Sequence, residues 1–149
     1  MTGQIQSYRG ERLGLPATGR ASLAPVGARI GAWLVDSIAS AFVAALFVEV
    51  IHHGHRRDFA DRLPGYWSLI PFALDYVLGI LFAGRTLGMY LLGLRVIRVD
   101  REVAVGPGRI VARTVLLMLL VPAVVFDRDG RGMHDRFTAT AVVRAVDRG

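Results

Sequence analysis

The feature that most constrains this chain is an unbroken apolar stretch near its N-terminus. Ile30–Ile51 contains 22 residues, of which only Asp36 and Glu49 are charged. As an α-helix it would be about 33 Å long, enough to cross the roughly 30 Å hydrocarbon layer of a bilayer. Hydrophobic residues make up 53% of the 149 residues, more than a soluble domain of this size can bury. The sequence therefore predicts an integral membrane protein.

Two further apolar segments, each of 17 residues, sit at the lower limit for a membrane span. Tyr66–Phe82 opens with an aromatic pair of the kind found at membrane–water interfaces. Ile110–Phe126 is interrupted by Arg113 and Pro122, so the sequence leaves open whether this third segment spans the bilayer or re-enters.

The distribution of arginine bears on that choice. If all three segments cross, the flanking arginines divide nine against eight, which gives no bias. If the third segment turns back at Pro122, they divide fourteen against three, with the N-terminus on the arginine-rich side. Cytoplasmic flanks carry the excess of basic residues. We therefore favour re-entry and predict a multi-pass protein of the plasma (inner) membrane with a cytoplasmic N-terminus.

The polar parts of the chain predict a small appendage. Leu94–Asp100 and Thr138–Val146 alternate apolar and polar residues as strands do, and re-entry would place them on one side, where they could pair. Thr86–Leu94 fits a short interfacial helix, and residues 1–25 show no apolar periodicity. The expected fold class is an all-α membrane protein with two transmembrane helices, a third spanning or re-entrant segment, and a two-stranded cytoplasmic β appendage. Residues 1–25 are expected to form a flexible arm, and residues 26–146 the membrane domain.

Charged residues inside the apolar segments are the candidate functional residues. Asp36, Asp75 and Arg113 fall at similar depths, and Arg29 shares a face of the first helix with Asp36. Each such group costs roughly 2.5–3.5 kcal/mol at the centre of a membrane helix, so we expect the carboxylates to lie against Arg113. The cluster could fix helix packing, carry a proton or cation on Asp36 and Asp75, or contact a partner's membrane helix. Packing is the favoured interpretation.

Other motifs indicate structure rather than catalysis or metal binding. Gly84, Gly88 and Gly93 are expected to allow close helix approach, and no P-loop frame surrounds Arg85 and Thr86. The stretch from Asp127 to Gly132 is typical of a polar turn beyond the membrane. Asp135 is expected either to cap a helix or to form a salt bridge with the arginines of residues 95–101.

Metal, thiol and nucleic-acid chemistry are not expected. His134 and Asp135 lack the further ligands of a metal phosphohydrolase, and the histidines at 52, 53 and 55 fit a solvated loop. The absence of Cys excludes disulfides and thiolate sites. The sequence has no stripe of basic residues interleaved with aromatic residues, the pattern that would indicate nucleic-acid binding. We therefore predict no cofactor and no enzymatic activity.

Three motifs in this order resemble the RDD family of small integral membrane proteins, in its actinobacterial type. They are Arg29-x-x-Ala32-x-x-x-Asp36, then Gly84-Arg85-Thr86-Leu87-Gly88 with Leu91-Leu92-Gly93-Leu94-Arg95-Val96, then the polar run from Asp127 to Arg136. The resemblance covers residues 26–144. The family is named for an Arg and two Asp, which Arg29, Asp36 and Asp135 would match, with Asp75 as the alternative second Asp.

The resemblance implies membrane insertion, and either transport or membership of a larger membrane assembly. This chain has Met89 and Tyr90 where the family pattern has a basic pair, so the resemblance gives no support for anionic-lipid contact at those two positions. We favour a scaffold or accessory subunit that contacts the lipid bilayer and forms a homo-oligomer or binds a membrane-protein partner. The alternative is a small oligomeric ion or proton transporter that uses Asp36 and Asp75.

Overall fold

A computed structural model describes residues 7–51, 66–119 and 131–145. Short 3₁₀ turns occupy Glu11–Leu13 and Tyr66–Ser68. The other elements, in chain order, are helices α1 (Val26–Ile51), α2 (Leu69–Ala83) and α3 (Leu87–Leu91), strand β1 (Leu94–Arg98), helices α4 (Pro107–Met118) and α5 (Met133–Phe137), and strand β2 (Thr140–Arg144). The fold is mostly helical with one small sheet, as the sequence predicts.

Helix α1 has two contrasting faces. Its Val26–Phe47 part is long and apolar enough to cross a membrane. Every fourth residue on one face is buried and small or polar: Ala32, Asp36, Ser40 and Ala44. This face packs on α2 and α3. The opposite face exposes large apolar side chains, namely Ile30, Leu34, Ile38, Phe42 and Leu46. Such a surface suits contact with lipid.

Helix α2 is apolar but shorter, with 15 residues and a length of about 22 Å. Phe72, Tyr76 and Ile80 point into the protein, where the Phe72 and Tyr76 rings stack at 4.6 Å. Ile70, Leu74 and Leu78 point outward and are about half exposed. The helix ends at Gly84, whose φ of 68° lies in the left-handed region that favours glycine.

The two predicted strands pair. β1 and β2 are antiparallel, with Val96 opposite Val142. Part of the segment predicted as a flexible arm packs on this appendage: Leu23 forms an isolated β-bridge with Val143, and the Ala24 N–H donates to the Val142 carbonyl at 2.9 Å. Leu15 is buried against Val143 and Ala141. The part of residues 7–25 nearest α1 therefore extends the sheet and its core.

Helix α4 covers the first half of the third apolar segment. It begins with Pro107 at its first turn and has 12 residues, about 18 Å, which is shorter than a full span. Ile110, Arg113, Thr114 and Leu117 point inward, whereas Val111 and Val115 are exposed. The remainder of the predicted segment, including Pro122, lies outside the described residues.

The sheet fixes where the chain goes on either side of this segment. β1 precedes residues 99–139 and β2 follows them, yet the two strands are hydrogen-bonded along their length. The first turn of α4 and the residue after α5 are also joined, since Arg109 donates to the Thr138 carbonyl at 3.0 Å. The chain therefore leaves and returns to the same end of the helical layer.

Candidate functional site

The buried charges form two clusters, not the single cluster predicted from the sequence. A capping cluster contains Asp36, Asp75, Thr86 and Gly88, and an ion-pair cluster contains Arg29, Arg113 and Asp135. The expected pairing of Arg113 with the carboxylates of α1 and α2 was wrong. Similar depth along three helices did not imply contact, because Arg113 projects toward α5 and the sheet.

The capping cluster supplies acceptors to the first turn of α3. The Leu87 N–H donates to Asp75 Oδ1 at 3.3 Å, the Gly88 N–H to Asp36 Oδ1 at 2.5 Å, and the Met89 N–H to Thr86 Oγ1 at 3.3 Å. The first N–H groups of a helix have no partner within the helix, so these acceptors satisfy them. Two carboxylates from two different helices thereby fix α3 in place.

Thr86 connects the parts of the capping cluster. Its hydroxyl is buried and donates to Asp36 Oδ2 at 2.7 Å while accepting from the Met89 N–H. A hydroxyl can do both at once, which a residue such as Val or Ala at this position could not. Asp36 is only 1% exposed and receives these bonds on both carboxyl oxygens.

Gly88 permits the close contact between α3 and α1. A Cβ at this position would overlap the Ala32 carbonyl and would lie 2.9 Å from Asp36 Oδ1. The prediction of close helix approach therefore holds at Gly88. Gly84 and Gly93 have a different role, since both adopt positive φ, 68° and 66°, at the turns that flank α3.

Asp75 is the less enclosed member of the capping cluster. Its carboxyl group lies close enough to that of Asp36 to interact with it. Asp75 Oδ2 is buried and has no hydrogen-bond partner among the described residues. Two neighbouring carboxyl groups can share a proton or hold a cation, which is the chemistry that this arrangement allows.

The ion-pair cluster joins two helices to the appendage. Arg113 Nη1 of α4 lies 2.6 Å from Asp135 Oδ1 of α5, and both side chains are almost fully buried. Arg29 Nη1 of α1 lies 3.9 Å from Asp135 Oδ2, and its Nη2 donates to the Val142 carbonyl of β2 at 3.4 Å. The expected bond between Asp135 and the arginines of residues 95–101 was wrong, because α5 turns the carboxylate inward.

Two threonines that sequence reasoning missed complete this cluster. Thr140 Oγ1 donates to Asp135 Oδ1 at 3.3 Å and accepts from Arg113 Nη1 at 3.3 Å. Thr138 Oγ1 lies 3.0 Å from the Thr140 hydroxyl and caps the end of α5 by donating to the His134 carbonyl at 2.7 Å. The predicted strand began at Thr138, whereas β2 begins at Thr140, because Thr138 ends α5 and Ala139 adopts a positive φ of 50°. No sequence signal marked the two threonines as partners of Asp135.

His134 lies at the edge of the ion-pair cluster, with Nε2 at 3.5 Å from Asp135 Oδ1. Its ring occupies the space where a Cβ of residue 132 would be, which explains the glycine there. No group of three or more metal-ligating side chains occurs in the described ranges. Asp127 and the histidines at 52, 53 and 55 lie outside them.

An exposed ion pair links the end of β1 to the start of α4. Asp100 accepts two hydrogen bonds from Arg98, at 2.9 and 2.7 Å, and lies 3.0 Å from Arg109 Nη2. The bonds from Arg98 hold the pKa of the Asp100 carboxyl well below its usual range, and Arg109 acts in the same direction.

A long apolar helix that exposes its large side chains, beside enclosed charges at one end, describes a small helical membrane protein. The model of the RDD family matches residues 23–139. The chain therefore belongs to the RDD family, as its motifs indicated. Neither the curated proteins nor the solved structures contain a significant match to it.

Proposed function

We propose that this RDD-family protein is a non-enzymatic scaffold or accessory subunit of an assembly in the plasma membrane. The observation that carries the proposal is the ion-pair cluster. Asp135 is held by Arg113 and Arg29, so that one buried carboxylate fastens α4 and α1 to the appendage. Such a joint makes the appendage a fixed extension of the membrane helices and thus a platform of constant orientation.

The paired strands support a two-span topology with a cytoplasmic N-terminus. Since β1 and β2 lie on the same side, the chain between them crosses the bilayer an even number of times. The division of the arginines, fourteen against three if the third apolar segment turns back, favours re-entry over a third crossing. α1 and α2 are then the two spans, and the arginine-rich end is cytoplasmic.

A partner is expected from the size of the helical layer. α1, α2 and α4 bury only one face each and expose rows of large apolar side chains. We propose that another membrane protein, or further copies of this chain, cover part of that surface. Purification in mild detergent followed by native mass spectrometry tests this. A foreign chain in fixed stoichiometry would support the accessory subunit, whereas a lone monomer would contradict it.

The second candidate function is transport of a proton or cation at Asp36 and Asp75. It is favoured by Asp75, whose Oδ2 is buried with no hydrogen-bond partner among the described residues and whose carboxyl group interacts with that of Asp36. In the ion-pair cluster, by contrast, the carboxylate is matched by two guanidinium groups.

The variant Asp75→Asn separates the two candidates. The amide oxygen can still accept from the Leu87 N–H, so α3 keeps its position while the charge is lost. A scaffold should keep its partner stoichiometry and its melting temperature. A transporter should retain the fold yet lose proton or sodium flux into liposomes. Glu11→Gln, an exposed change outside both clusters, is the matched control.

A further inference from the structure

Arg85 directly precedes Thr86 of the capping cluster and belongs to neither buried cluster. Its guanidinium carbon lies 4.6 Å from the centroid of the Tyr90 ring. Among the described residues it makes no side-chain hydrogen bond or ion pair. The ring holds one face of the guanidinium, and the N–H groups at its edge remain available as donors.

The depth of α3 places this arginine at the membrane boundary. Gly88 of α3 packs on the backbone of Ala32 in α1. At that level α1 already exposes Ile30 and Leu34, which are 49% and 47% exposed. α3 therefore lies beside the apolar part of α1 rather than above it in water.

The surroundings of Arg85 are apolar and exposed. Leu87 and Leu91 of α3 are 46% and 57% exposed, and Phe82, at the end of α2, is 82% exposed. Tyr90 is also exposed, with its phenol beside the guanidinium. A cation with free donors next to exposed leucines is complementary to a lipid with an anionic headgroup and acyl chains.

We propose that Arg85, oriented by Tyr90, binds the headgroup phosphate of an anionic phospholipid whose acyl chains lie against Leu87 and Leu91. The guanidinium edge can donate two parallel hydrogen bonds to phosphate oxygens. The site binds lipid whether the protein serves as a scaffold or as a transporter.

The test uses the full-length protein in nanodiscs of phosphatidylcholine with a minor fraction of phosphatidylglycerol. Native mass spectrometry after release counts the phosphatidylglycerol that the protein retains. Arg85→Gln should lower this retention about fivefold, the factor expected for one basic residue at an anionic surface. Retention by Arg85→Lys should lie between that of the unmodified protein and that of Arg85→Gln, because lysine keeps the charge without the planar pair of donors.

The matched control is Arg101→Gln, which removes the same charge from an exposed position on the appendage. Its retention should equal that of the unmodified protein, and equal losses in both variants would overturn the site. Tyr90→Leu keeps the charge and should lower retention partly. If Arg85→Gln retained as much phosphatidylglycerol as the unmodified protein, with an unchanged melting temperature in pure phosphatidylcholine, the proposed site would also be overturned. Full competition by soluble glycerol 3-phosphate would overturn it too, since it would indicate a site for free phosphate.

Discussion

Asp36 and Asp135 are equally buried, at 1% exposure, but they are stabilised in different ways. Asp36 accepts hydrogen bonds from a threonine hydroxyl and from a helix N–H, whereas Asp135 lies against two guanidinium groups. The first arrangement positions a short helix, and the second joins separate elements. A buried aspartate can therefore position a helix or join separate elements, depending on the groups that it contacts.

Gly88→Ala should be strongly destabilising. The added methyl group would overlap the backbone of Ala32, which cannot move without shifting α1, and overpacking of this kind costs about 1–3 kcal/mol or more. A lower melting temperature in detergent would show it. Gly108→Ala is the control, because a Cβ there meets nothing within 4 Å. Equal stability of both variants would contradict the contact between α3 and α1.

Arg113→Gln and Asp135→Asn should each destabilise the protein by about 3–5 kcal/mol, since either change leaves a buried charge without its main partner. The double variant should lose less than the sum of the two, because neither charge then remains. Chemical unfolding of the four proteins gives the coupling free energy. Additive losses would show that the two side chains do not interact.

The sequence predicted which residues are buried and bonded better than it predicted which residues contact each other. Arg29, Asp36, Arg113 and Asp135 were all singled out from cost and motif, and all are buried or half-buried and bonded. The partners were not predictable, since depth along a helix says nothing about the direction of a side chain around its axis. Thr140 was missed because a threonine in a strand carries no signal of its own.

At the scale of elements, the appendage was predictable because its strands alternate. The alternation indicated two strands that could pair, and the structure pairs them in antiparallel register. It did not predict burial on both faces of β2, where Thr140, Ala141, Val142 and Val143 are all buried. The packing of Leu15 and Leu23 on the sheet was not predictable, since an irregular segment rich in Gly, Ser and Pro has no period to detect. Its order comes from the apolar side chains that it places on β2.

The link between β1 and α4 predicts the acid behaviour of Asp100. The hydrogen bonds from Arg98 lower the pKa of this carboxyl, so its contribution to stability is present above the usual Asp pKa of about 3.9 and is lost as the pH falls through the lower value in the folded protein. Carbon-13 NMR should show Asp100 titrating below free Asp. Arg98→Gln should raise the midpoint, and an unchanged midpoint would contradict the bond.

At the scale of the whole molecule, the sheet and the two clusters all lie at one end of the helices. Asp36 and Arg29 join α1 to α3 and α5, Asp75 joins α2 to α3, and Arg113 joins α4 to α5. The opposite end is apolar along α1. This polarity along the helices is what a protein needs to hold a fixed depth in a bilayer.

Single-cysteine labelling should therefore place three distant parts of the sequence on one side of the membrane. The chain has no cysteine, so Thr18→Cys, Ala104→Cys and Arg136→Cys each introduce one exposed thiol, in the arm, after β1 and in α5. All three should react with an impermeant maleimide only when the cytoplasmic face is open, while His53→Cys should react from the other side. The side on which residue 136 is labelled tests the third segment. If that segment crossed the membrane fully, residue 136 would lie on the same side as residue 53. Labelling of Arg136→Cys from the outside would therefore contradict the pairing of β1 with β2 and the two-span topology.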